Sequence, residues 1–328
     1  MTVFWRIVKI GIGLALLAWL LASVDFKELA HVAGQGDPWL LVLGLFMMML
    51  SLPVFQAWRL HVLIDGYTQS WATTLRVFFV GAFFNNVLPS NVGGDAIRLV
   101  YLQRMRGGNW GAPLALLMLH RLSGIGVIVV IAAIYLAFEG NHTIEVLGGI
   151  SVGAPPLTII LGALAVAVLF GVALLFAPGA LRNKIVKRAR KFGGDFITGW
   201  REVSAPAMFW LIVLTVGYQA TRLLGFLYVV RYMGQDIGYG ELIMVMAVTA
   251  VLALVPITVG ALGVMEGSIT LMLGAYGVSH PAAITVALAN RMILLLSALV
   301  GGVVYVTERK ANNTELAQQP NATRPSAS

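Results

Sequence analysis

The 328-residue chain is 59% apolar and only 11% charged, with a mean hydropathy of +0.87. A soluble domain of this length needs far more charge to cover its surface, so the composition specifies an integral membrane protein. The net charge of +8 sits largely in short segments beside apolar runs, which reads as positive-inside topology rather than a nucleic-acid surface, and the lack of cysteine excludes disulfides and thiolate metal sites.

A helix needs roughly 20 apolar residues to cross the hydrocarbon. The first such run, 7–24, follows Arg6 and Lys9; it is long for a signal-peptide core, has no small-x-small cleavage site after it, and reads as a retained helix. Further clear spans fall at 39–60, 112–138, 156–177, 207–230 and 283–306. Two other apolar stretches, 72–104 and 239–279, are interrupted by Leu88-Pro89-Ser90-Asn91-Val92-Gly93-Gly94 and by Val255-Pro256-Ile257-Thr258-Val259-Gly260. Lipid cannot satisfy backbone groups freed by such breaks, so this backbone must be buried in protein or line a wet cavity. The expected fold is an all-α polytopic membrane protein with about six full spans and two broken, re-entrant segments in a single domain, 1–306. Residues 307–328, rich in Asn, Gln, Thr, Pro and Ser, read as a disordered tail.

Charge orients the spans. Arg6 and Lys9 place the N-terminus in the cytoplasm, and Arg182, Lys184, Lys187, Arg188, Arg190 and Lys191 mark a cytoplasmic loop. A single crossing by the first broken segment would put that loop outside; a re-entrant hairpin keeps it inside with Arg104 and Arg106. The second broken segment is a hairpin or two full crossings, and either leaves Arg309 and Lys310 cytoplasmic.

The two halves, about 38–138 and 206–306, resemble each other. Gln56-Ala57-Trp58-Arg59-Leu60 matches Gln219-Ala220-Thr221-Arg222-Leu223, Pro89-x-x-x-Gly93 matches Pro256-x-x-x-Gly260, and His120-Arg121 matches Asn290-Arg291, with offsets between 163 and 170 residues. On the topology above, matched spans run in opposite directions. This predicts an inverted repeat, the plan of many secondary transporters.

Several polar residues stand where lipid should forbid them. A half-helix starting near Gly94 would point free N–H groups and a positive dipole end into the first break, which holds Asn91 and Gly93, and so favour an anion. Asp95 is either the cap of that helix, with Arg98 as its i,i+3 partner, or a substrate- or proton-coupling group. In the second break, Gly260-Ala261-Leu262-Gly263 leads to Glu266, which lies in an otherwise uncharged stretch from Leu242 to His280. Glu266 reads as dipole compensation, as a structural ion pair, or as a proton carrier. Arg121, Arg222 and Arg291 each lie inside an apolar run, and their planar forks suit a phosphate. They either contact an anionic head group or lock onto Asp95 and Glu266. Arg59, near a span end, reads as an interface anchor; His120 reads as a packed donor rather than a metal ligand, and Asn85 and Asn86 as partners for freed backbone or, alternatively, as ligand contacts.

The run Asn86-Val87-Leu88-Pro89-Ser90-Asn91-Val92-Gly93-Gly94-Asp95-Ala96-Ile97-Arg98 resembles the signature of the lysylphosphatidylglycerol synthase transmembrane-region family, whose members are also described as flippase-like domain proteins. Pro256-x-Thr258-x-Gly260-x-x-Gly263-x-x-Glu266 is similar to the family's second signature, and the likeness spans roughly 5–306. In lysyl-lipid synthases this region resembles the part that moves the modified lipid between leaflets, with aminoacyl transfer in an appended soluble domain. No counterpart of that domain is read here, so the resemblance implies a translocator-like module without synthase activity, in a bacterial inner membrane with both termini cytoplasmic.

The leading expectation is therefore translocation of an anionic or phosphate-bearing membrane lipid. The head group would sit among Arg121, Arg222, Arg291, Asn91, Gly93, Gly94, Asp95, Arg98, Gly260, Gly263 and Glu266. No Gly-x-x-x-x-Gly-Lys-Ser/Thr motif is present, and no cofactor or metal is expected. The alternatives are a small-molecule transporter or an accessory subunit working with envelope-lipid biosynthesis proteins. A lipid-linked-substrate enzyme is disfavoured, because the histidines and carboxylates form no close pair along the sequence.

Overall fold

The computed structural model describes residues 36–87, 93–107, 110–149, 191, 193–253 and 261–318, with the backbone alone at 106, 139–149 and 308–318. The expected spans 7–24 and 156–177, and the break residues 88–92 and 254–260 with Asn91 and Gly260, lie outside these. All regular structure among the described residues is helical.

Helix α1, Pro38–Ile64, begins where Asp37 accepts a hydrogen bond from the Trp39 amide (3.0 Å) and Pro38 occupies the first turn. Pro53 removes an amide donor from its middle, and there the chain widens into a π-helical segment, Ser51–Gln56. The short helices α2, Trp71–Val87, and α3, Gly93–Arg106, flank the first break, and α4, Gly111–Gly149, follows. Helix α5, Ala205–Tyr232, starts under a Ser204 cap with Pro206 in its first turn. The helices α6, Tyr239–Leu252, and α7, Val264–Ala275, flank the second break, and α8, His280–Gln318, ends the described chain.

Pro38–Ile64, Gly111–Phe138, Ala205–Tyr232 and His280–Thr307 are long and apolar enough to cross a membrane. They coincide with four of the expected spans. Each exceeds the roughly 20 residues needed, which leaves room for tilt. Polarity is turned inside out relative to a soluble protein. Trp39, Phe46, Phe138, Leu271, Leu299 and Val303 are exposed, while Arg59, Arg98, Glu266 and Arg291 are buried. Lipid takes the first set without cost; the second must find partners inside.

Small residues set the central crossing. A Cβ added to Gly44 would lie 3.0 Å from the Gly225 carbonyl, and one added to Gly225 would lie 3.0 Å from the Gly44 carbonyl. Gly36 lies against Tyr232 and Gly217 against Phe55, so rising numbers in α1 meet falling numbers in α5. The two helices run antiparallel, backbone close to backbone. Around them α2 packs on α3 and α8, α6 packs on α7 and α4, α3 meets α4, and α7 meets α8. Exchanging α1–α4 for α5–α8 leaves this set of neighbours unchanged.

Helix α8 continues to Gln318, into the segment read as a disordered tail. A polar composition forbids a buried core but not a helix continuing outward.

Candidate functional site

The first half of the site is built by glycine. Gly94, in the first turn of α3, sits so close to α2 that a side chain there would strike the Gly81 carbonyl, and a Cβ on Gly81 would strike the Arg98 guanidinium. The Asn85 side-chain oxygen accepts the Gly94 N–H at 2.7 Å, satisfying a donor freed by the break, and Asn86 donates to the Ala82 carbonyl at 3.0 Å. This close fit lays Arg98 across α2. It donates to the Phe78 carbonyl (3.0 Å), stands over the Phe78 ring at 5.0 Å, and pairs with Asp95 at 3.0 Å. The other Asp95 oxygen accepts from Arg121 of α4 at 2.8 Å.

Helix α1 contributes Arg59. Only 2% exposed, it donates to the His120 carbonyl (2.6 Å) and to Ser123 (2.9 Å). It is not an interface anchor, contrary to its place near a span end: α4 packs over it, and Gly124 leaves room for its guanidinium. His120 bonds the Gln56 carbonyl through Nε2 at 3.2 Å, as a packed donor. Helix α5 supplies the matching group. Arg222 donates to the Asn290 side-chain oxygen of α8 at 3.0 Å and to the Tyr218 hydroxyl at 3.2 Å. The Tyr218 ring lies 5.8 Å from the Arg59 guanidinium and 5.6 Å from that of Arg222, so one aromatic ring stands beside two like charges.

Two adjoining cavities open among these groups. The first, about 210 Å³, is lined by Gln56, Asn85, Asn86, Arg98, Tyr218, Arg222 and Asn290 among others. The second, about 240 Å³, is lined by Arg59, Asp95, Arg98, His120, Arg121 and Arg222 among others. Arg98, Arg222, Gln56, Asn85 and Tyr218 face both. Of the expected head-group residues, Arg121, Arg222, Asp95 and Arg98 are thus brought together, with Gly94 positioning them.

The remaining group forms a separate cluster. Glu266 of α7 accepts from the Gly263 amide at 2.6 Å, where Gly263 takes a φ of +79°, and pairs with Arg291 of α8. Arg291 also donates to the Ala261 carbonyl at 3.3 Å. Glu266 and Arg291 are fully or almost fully buried and are not among the residues lining the two cavities.

Sequence reasoning passed over Arg59, Gln56, Tyr218 and Asn290 as site residues. The signal was present in the repeated Gln-Ala-x-Arg-Leu motif and in the alignment of Asn290 with His120. Each copy of the motif delivers one arginine to the long span that follows: Arg59 to His120, Arg222 to Asn290.

Residues 6–302 match the family model described as the lysylphosphatidylglycerol synthase TM region. The chain belongs to this family. It is also similar to the UPF0104 membrane protein PH1989 of Pyrococcus horikoshii, 20% identical over 336 residues, covering 91% of this chain and 96% of the relative. Family membership agrees with the resemblance carried by the Asn86–Arg98 and Pro256–Glu266 signatures and makes the protein a multi-pass membrane protein. Among the described residues, no group of three or more His, Cys, Asp or Glu is placed to hold a metal.

Proposed function

We propose that this member of the lysylphosphatidylglycerol synthase transmembrane-region family moves an anionic, phosphate-bearing lipid between leaflets. The observation that carries the reading is the pair of adjoining cavities walled by Arg59, Arg98, Arg121 and Arg222, drawn from α1, α3, α4 and α5. Arginines buried in an apolar helix bundle are too costly to keep without a counter-charge, and a lipid phosphate provides one. The acyl chains would remain in the bilayer while the head group exchanges water for guanidinium groups.

The reading includes an inverted repeat, re-entrant broken segments, and a place in a bacterial inner membrane with both termini cytoplasmic. The antiparallel α1 and α5, together with matched neighbours in the two halves, support the inversion. Two matched halves meeting at one site allow alternating exposure to either leaflet by rocking about the α1–α5 crossing. Translocation needs no bond making, and the protein is read as a non-enzymatic carrier; any drive comes from an ion gradient, lipid consumption or equilibration.

The test is reconstitution of the purified chain into phosphatidylcholine vesicles doped with tail-labelled anionic lipids. Protein-dependent accessibility of inner-leaflet label to a membrane-impermeant quencher is expected. Flip rates equal to protein-free vesicles for every anionic lipid would sink the reading.

A further inference from the structure

The charge balance of the cavity says which kind of phosphate it fits. Among the described residues lining the second cavity are four guanidiniums, Arg59, Arg98, Arg121 and Arg222, against one carboxylate, Asp95, leaving three positive charges. Asp95 is already shared between Arg98 and Arg121, and Arg59 and Arg222 are tied to neutral partners, a carbonyl and hydroxyl for the one, an amide oxygen and hydroxyl for the other. Three donors are left over. Arg59 Nε, Arg98 Nε and Asn290 Nδ2 are buried and lack a hydrogen-bond partner among the described residues, in residues 2%, 6% and 4% exposed. These N–H groups are enclosed by the packing, Arg98 Nε against Gly81, so it is the excess positive charge of the cavity wall that calls for an anion.

A phosphodiester head group brings one negative charge and two unesterified phosphate oxygens. A phosphomonoester brings up to two charges and three such oxygens, and a diphosphate more of both. We infer that the site is built for a dianionic phosphate, a phosphomonoester or diphosphate head group, in preference to the singly charged phosphodiester of ordinary phospholipids. This rests on the head-group reading above and narrows it. The amide-rich first cavity, with Gln56, Asn85, Asn86 and Asn290, lies beside the charged one and offers hydrogen bonds to whatever the phosphate carries. An aminoacylated, cationic head group is disfavoured by the same balance, since an ammonium would add to three positive charges already present.

The experiment uses the full chain in phosphatidylcholine vesicles at pH 8, where a phosphomonoester is doubly ionised. Tail-labelled phosphatidic acid and phosphatidylglycerol with identical acyl chains are compared, and soluble pyrophosphate is added as a competitor. Phosphatidic acid is expected to flip about tenfold faster than phosphatidylglycerol, an advantage that shrinks in high salt, and pyrophosphate is expected to slow it. Arg222→Gln should reduce that preference more than it reduces the phosphatidylglycerol rate. Equal rates, or faster phosphatidylglycerol, would overturn the inference while leaving lipid translocation intact. Protection of the purified protein against heat by pyrophosphate, with no lipid flipped, would uphold the dianion preference and move its source from lipid to a soluble phosphate. No flipping and no effect of pyrophosphate would remove both.

Discussion

The two acid–arginine pairs of this protein occupy matching places in its halves and behave as different devices. In each, a carboxylate early in the short helix after a break reaches an arginine in the long span that follows: Asp95 to Arg121, Glu266 to Arg291. The side chains of Asp95 and Arg121 are 23% and 26% exposed and face a cavity, and Asp95 divides its oxygens between two arginines. Glu266 and Arg291 are 0% and 6% exposed, and they add bonds to the Gly263 amide and the Ala261 carbonyl. A dry pair survives only if nearly every lone pair and N–H is used, which makes it a fastening. A wet pair is screened and can trade its carboxylate for another anion, which makes it a binding surface. The same sequence plan thus yields a lock in one half and an adjustable site in the other.

Removing one partner of the dry pair should have the largest effect. Glu266→Ala strands Arg291 as a buried charge and is expected to cost about 3–5 kcal/mol, seen as loss of monodisperse protein in detergent. Pairing Glu266→Leu with Arg291→Met should recover much of it. If Glu266→Ala melts like the native protein, the lock is wrong. Next, Arg222→Gln keeps a donor for Asn290 but removes a cavity charge; flip rate is expected to fall about 10–100-fold with melting little changed, on the scale of a hydrogen bond to a charged group. Gly94→Ala forces α3 off α2 against the Gly81 carbonyl, and an overpacking cost of about 1–3 kcal/mol should appear as a lower melting temperature together with slower transport. The smallest change in stability is expected for Asp95→Asn, within about 1 kcal/mol, because the Arg121 pair is partly exposed and buried Arg98 keeps the Phe78 carbonyl and can still donate to the asparagine oxygen. That substitution should tighten pyrophosphate binding measured by calorimetry, since Arg98 and Arg121 lose their resident anion. Collapse of Asp95→Asn alongside an intact Glu266→Ala would reverse the comparison.

What the amino-acid sequence determined by itself is the class of molecule. Apolar runs of 20 or more residues have one stable solution in lipid, the helix, because the bilayer supplies no partner for the backbone. Four of the runs read that way recur as long apolar helices at nearly the same boundaries. The unusual residues were legible too, because a charge inside an apolar run stands out against its neighbours. The partner of each charge was not. Arg59 sits near a span end and looks like an anchor; it is buried only because α4 crosses it at Gly124. Arg291 and Arg121 look alike along the chain, yet one is sealed beside Glu266 and the other faces a cavity. Solvent access, the choice of partner and the gathering of four arginines and one carboxylate around one cavity arise from how α1, α3, α4 and α5 cross, through contacts 20 to more than 100 residues apart in sequence. Hydropathy is a local property that a sequence carries on its face; charge balance in a cavity is a sum over helices, and only the packed bundle performs it.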